Sequence, residues 1–117
     1  MFSVDGTTIS LSVGDTGAIE FTSTGYTFAS EDRAIFTIRT ATGVAVIEEE
    51  HELTDGAFTQ YFHNSDTDGY AAANYTWDVR YVINPYRDSN GKIVDGDQVI
   101  TPMTPQTLTL LPVVGDV

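Results

Sequence analysis

Apolar and polar residues take turns with a period of two along most of this chain, and no window of about eleven residues or more keeps apolar positions at helical spacing. Residues 8–13 place Ile9, Leu11 and Val13 on one face, and Gly14-Asp15-Thr16-Gly17 reads as the turn that follows. Ile19 and Phe21 then face inward, with Glu20 and Thr22 outward. Residues 33–40 put Ala34, Phe36 and Ile38 together, opposite Thr37 and Arg39. A short hairpin connection through Ala41-Thr42-Gly43 leads to a partner strand over 44–53. Asp55-Gly56 is a strong two-residue hairpin signal ahead of Phe58, Gln60 and Phe62. Residues 64–74 read as a loop. Tyr75, Trp77, Val79, Tyr81 and Ile83 form the longest alternating face, expected as a central strand with Trp77 in the core. Residues 84–97 read as a long insertion in which Asn90-Gly91 tips a small hairpin with 92–94 on its return side. A short strand over 98–101 follows. Pro102 and Pro105 then break regularity, as an edge crossing would, before a closing strand over 106–114.

Seven to eight short strands separated by turn signals predict an all-β fold: one antiparallel β-sandwich, Ig-like or jelly-roll-like, spanning residues 1–117 as a single domain. A chain of 117 residues with 41% apolar content can bury one core without staples. The chain has no cysteine, so neither a disulfide framework nor a thiolate nucleophile enters the reading. No apolar run approaches the length of a membrane span, and the first residues lack the basic and apolar regions of a secretory signal. Gly115-Asp116-Val117 reads as the end of a small protein.

The sequence has 17 acidic residues against 5 basic ones, a formal net charge of −12. Contact with nucleic acid requires clustered Lys and Arg, and an anionic membrane surface requires the same, so both are unexpected as direct partners. Such acidity either keeps a protein soluble or meets a basic protein surface.

Several of these segments also occur together elsewhere. An opening strand runs into Gly14-Asp15-Thr16, then come Ile19 and Phe21, the strand Ala34-Ile35-Phe36-Thr37-Ile38-Arg39, and Asp55-Gly56-Ala57-Phe58. Ala73-Asn74-Tyr75-Thr76-Trp77-Asp78-Val79 follows, in the place of a Gly-x-Tyr-x-aromatic-acidic-apolar segment. In this order, over residues 5–114, the chain resembles the N-terminal domain of the baseplate upper protein family, tail components of phages of Gram-positive bacteria. Ala73 stands where that family carries a turn glycine, and the family continues into a stalk or receptor-binding region. The resemblance implies a structural role in virion assembly around the tail tip.

The densest charge run is Glu48-Glu49-Glu50-His51-Glu52. On a strand, Glu48, Glu50 and Glu52 share a face at about 6.7 Å per step. They are either a solvated edge that blocks aggregation or, with Glu49, an acidic strip that docks a basic partner. Asp66-Thr67-Asp68-Gly69, and Asp88 through Asp95 and Asp97, look superficially like calcium loops. They lack the EF-hand spacing, and turn chemistry accounts for the same residues. His51 and His63, even with Glu49, are thin material for zinc, so no metal or other cofactor is expected. Nucleophile-elbow, phosphate-loop and dinucleotide motifs are missing, and no catalytic residues are expected. Tyr70 and Tyr86, on predicted loops, are candidate contact residues or covers for the ends of the sandwich.

The leading expectation is therefore a non-enzymatic phage or prophage module that assembles with other virion proteins, with homo-oligomers among the candidate assemblies, in the virion or the host bacterial cytoplasm. An acidic inhibitor of a bacterial defence nuclease of the anti-CRISPR type, bound to a basic host protein, is the first alternative. A carbohydrate-binding module using the loop tyrosines is the second.

Overall fold

A computed structural model of the chain describes residues 2–112. Among them are nine strands and one helical turn. In chain order they are β1 (Ser3–Asp5), β2 (Thr8–Ser12), β3 (Gly17–Thr22), β4 (Arg33–Arg39), β5 (Ala45–Glu52), β6 (Ala57–Phe62), α1 (Asn64–Thr67), β7 (Ala73–Arg87), β8 (Ile93–Ile100) and β9 (Gln106–Leu111). The all-β expectation holds, and the alternating faces fall where the pattern put them. The closing strand ends at Leu111, and its predicted continuation over 113–114 lies outside the described residues, as do 115–117.

The strands divide very unequally. Seven form one sheet in the order β1-β2-β9-β7-β4-β5, with β8 also paired to β7, and β3 and β6 make a separate two-stranded ribbon. The ribbon lies over the inner face of the large sheet, a different division from the near-equal layers of an Ig-like sandwich. Ile9, Leu11, Phe36, Ile38, Trp77, Val79, Leu108 and Leu110 from the large sheet pack with Phe58 and Phe62 from β6. Phe36, fully buried, is the hub: its ring lies 5.8 Å from Phe21, 5.9 Å from Trp77 and 6.0 Å from Phe62. Trp77 is 3% exposed, and its indole N–H donates to the Thr7 carbonyl at 3.0 Å, so its one polar atom is satisfied inside the core.

Pairing departs from the expected antiparallel pattern at one place. β2 and β9 run parallel, Ile9 opposite Leu108 and Leu11 opposite Leu110. β4 occupies one edge of β7 from Thr76 to Val82, so β8 and β9 both lie on the other edge, one after the other and in the same direction. Residues 101–105 are therefore a break in one nearly continuous line rather than an edge crossing. β1, missed in the sequence, is three residues long with Val4 as its only apolar side chain, too little for a period to show.

The expected insertion over 84–97 is mostly strand. β7 runs through Pro85 to Arg87 and returns as β8, closed at Asp88-Ser89-Asn90-Gly91. Beyond Val82, β4 no longer flanks β7, and Pro85 stands opposite Gly96 of β8. This arm bends at Asn84, whose φ is 47°, and at Gly96, where a Cβ would lie 2.8 Å from the Ile83 carbonyl oxygen. Asp32, buried, fixes the bend: one carboxylate oxygen accepts the Asn84 N–H at 2.9 Å and the other accepts the Ala29 N–H at 2.7 Å. The Asp55-Gly56 hairpin forms as predicted, with φ values of 51° and 76° that fit a type I′ turn.

Candidate functional site

The strand period separates the acidic run into two faces. Glu48, Glu50 and Glu52 lie on the outer face of β5, opposite Thr37, Ile35 and Arg33 of β4, while Glu49 and His51 lie on the inner face, opposite Phe36 and Ala34. Glu49 thus leaves the expected strip: it accepts a hydrogen bond from Gln60 Nε2 at 2.9 Å. Gln60, fully buried on β6, also bonds His51 through its Oε1 at 2.6 Å, and the His51 ring stacks on Phe58 at 4.9 Å. The polar network Glu49–Gln60–His51 ties β5 to β6 at one open side of the sandwich.

The three outer glutamates are not free charge. Arg87 grips Glu50 with two nitrogens, at 3.0 and 2.5 Å. Arg33 lies 3.5 Å from Glu50 and 3.6 Å from Glu52. Arg80 and Lys92 lie 4.0 and 3.8 Å from Glu48. The Arg87 hydrogen bond, ahead of the attraction of Arg87 and Arg33, holds the Glu50 carboxyl below its ordinary range, and Glu50 in turn raises the Arg87 guanidinium. Three carboxylates therefore meet four cations, so the strip presents no net negative charge. The fifth cation, Arg39, is hydrogen-bonded to the buried Asp78. Every Lys and Arg side chain of the sequence is thus tied to a carboxylate on the outer face of the large sheet.

The loop candidates do not converge on one site. Tyr70, 39% exposed, follows α1 and donates its hydroxyl to the Val46 carbonyl at 3.1 Å, covering the end of the core near Ile38 and Leu108. Tyr86 lies on β7 and Asp95 and Asp97 on β8, strand positions rather than loops. Tyr86 donates to Asp97, which also accepts from Asn84 Nδ2 at 2.9 Å. That bond raises the Tyr86 phenol above its usual range and lowers the Asp97 carboxyl. Asp88 accepts the backbone N–H groups of Asn90 and Lys92 at 2.9 and 3.0 Å, and Asp95 accepts that of Gly96 at 2.8 Å. Turn and hairpin contacts engage Tyr86, Asp88, Asp95 and Asp97. Among the described residues, no group of three His, Cys, Asp or Glu side chains is arranged to hold a metal ion. No helix among them is long and apolar enough to cross a membrane.

A different surface has the makings of an interface. Among the described residues, β3 is hydrogen-bonded only to β6. The Ser23 N–H donates to the Gly56 carbonyl at 2.9 Å, which fixes the alternation along the ribbon. Phe21, Ile19 and Gly17 turn their backbone groups toward β6, and Ala18, Glu20 and Thr22 turn theirs to the unpaired edge. Two clefts lie along this edge. One, of about 300 Å³, lies between Ile19–Phe21 and the β1–β2 turn at Val4, Gly6 and Thr7. The other, of about 220 Å³, lies between Thr22–Thr24 and Pro102, with Tyr26 and Tyr81 in its wall. Phe21, Trp77 and Met103 line both. Met103, 40% exposed, projects from the Pro102–Pro105 break. No sequence signal marked this groove: Phe21 and Trp77 read as core, and Met103 lies in a stretch without period.

A scan against models of known protein families finds no match, and a search of curated proteins finds no relative of this chain.

Proposed function

We propose that the chain is a non-enzymatic module that assembles with other proteins. The observation that carries this reading is the contrast between its sheet edges. β5 is closed to strand pairing by outward Glu48, Glu50 and Glu52 and the cations they hold, whereas β3 leaves a row of backbone groups unpaired beside an apolar groove. Natural β-proteins cover or charge an edge that has no partner, and β3 has one charged residue in six. The resemblance noted in the sequence supplies the setting we propose, a phage tail or baseplate. Size-exclusion chromatography with light scattering, on the chain alone and mixed with tail proteins, tests the reading. Co-elution with a tail protein supports it, and a strict monomer that ignores them overturns it.

Inhibition of a nuclease through a basic surface is the second reading. The Glu48–Glu52 strip does not serve it, because the chain's own cations neutralise that face. The net charge of −12 and the unopposed carboxylates on the rest of the surface, where Asp5, Glu20 and Asp55 are exposed, favour it. A pull-down with a nuclease effector, repeated at high salt, separates the two: binding lost with salt, together with loss of nuclease activity, favours inhibition.

A further inference from the structure

We propose that β3 takes up an extended segment of a partner protein, in which apolar side chains alternate with Lys or Arg, as a third strand of the β3–β6 ribbon. The inference rests on the assembly reading above and names its site. Three features converge on it. The outward backbone groups of Ala18, Glu20 and Thr22 offer alternating donors and acceptors at strand spacing, the template used when a peptide is added to a sheet edge. The clefts beside them, about 300 and 220 Å³, sit at or below the small end of ligand pockets, a size that suits single side chains entering from a strand. Phe21, Trp77 and Met103 give those side chains an apolar surface, and Met103 adapts to the shape of what enters.

Charge selects the partner. Glu20 borders the first cleft, Asp5 is exposed beside it, and all Lys and Arg side chains are engaged on the outer face of the large sheet. An incoming strand that turns apolar residues into the clefts turns the alternate ones outward, where a Lys or Arg stands across from Glu20. The same residue argues against a second copy of this chain. Glu20 is the middle one of the three outward-bonding residues, so a two-fold β3–β3 pairing centred there sets two glutamates side by side between molecules of charge −12.

The test is backbone amide exchange followed by NMR, on the full chain with a short synthetic peptide alternating valine with lysine and threonine. A second peptide carries glutamate in place of lysine. In the free chain the Ala18, Glu20 and Thr22 amides exchange rapidly. The lysine peptide slows all three by about tenfold or more, the glutamate peptide does not, and Glu20→Lys weakens lysine-peptide binding about tenfold. Thr22→Pro removes one outward N–H at an edge position that tolerates proline, and abolishes the protection while unchanged Trp77 fluorescence reports an intact core. Exchange at these amides unaffected by the lysine peptide overturns the proposal. So does protection that grows with protein concentration in the absence of peptide, which assigns the edge to a second copy. Tail-protein binding that survives both variants keeps the assembly reading and removes this site from it.

Discussion

Replacing Asp32 by alanine is the sharpest test of how the arm is held. Asp32 is 3% exposed, and its two oxygens take two backbone N–H groups from separate segments, Ala29 before β4 and Asn84 at the bend of β7. Removing the carboxylate leaves both donors without an acceptor. A buried donor stripped of its partner costs about 1–3 kcal/mol. Ala29 and Asn84 are exposed residues, so water replaces part of what each N–H loses, and the two losses together come to about 1–3 kcal/mol. A domain of this size is stable by about 5–15 kcal/mol, so the loss is a large fraction of the whole. Asp32→Asn retains one acceptor oxygen but turns an NH2 group toward the other donor, and falls between wild type and alanine. Urea unfolding followed by Trp77 fluorescence measures both, since Trp77 is the single tryptophan and lies in the core. The midpoint falls in the order wild type, Asn, Ala with the slope unchanged. Amide exchange adds the location: Ala29 and Asn84 lose protection before the rest of the sheet. A loss below about 1 kcal/mol in the alanine variant, or unchanged exchange at Asn84, would refute the reasoning that this carboxylate holds the bend.

Other perturbations follow from single contacts. Phe36→Ala empties the hub between Phe21, Phe62 and Trp77 and costs about 3–5 kcal/mol by the same unfolding assay. Gly96→Ala places a Cβ 2.5 Å from Val82 Cγ1 and 2.8 Å from the Ile83 carbonyl oxygen; the arm must shift, and about 1–3 kcal/mol of stability goes with it. Because its folded-state pKa is lowered, Glu50 adds stability above its ordinary pKa and loses it as pH falls through the depressed folded value. The acid limb of the stability curve is therefore shallower in Glu50→Gln, and high salt narrows the difference because the pair is exposed. Asp97→Asn returns the Tyr86 phenol toward its usual titration range, read by ultraviolet absorbance on raising the pH.

The period of two fixed most of what is local. It named which residues of 8–13, 19–21, 33–40 and 75–83 face inward, because successive side chains of a strand point to opposite faces of the sheet. It located the Asp55-Gly56 turn, because few residue pairs tolerate two positive φ values. It also marked Glu48, Glu50 and Glu52 as one face. The sequence could not say that Arg33 from β4, Arg80 and Arg87 from β7 and Lys92 from the arm would gather over that face. Each of those cations lies far in the chain from the glutamate it meets, and only sheet order and the bend at Asn84 bring them there. A strand's period is also silent about its neighbours: nothing local tells β3 that it will pair on one side only, or that Met103 will stand beside Trp77. The faces of strands are written in adjacent residues, whereas edges, grooves and charge pairs arise from contacts between distant ones, and in this protein those contacts decide which surface is left open to a partner.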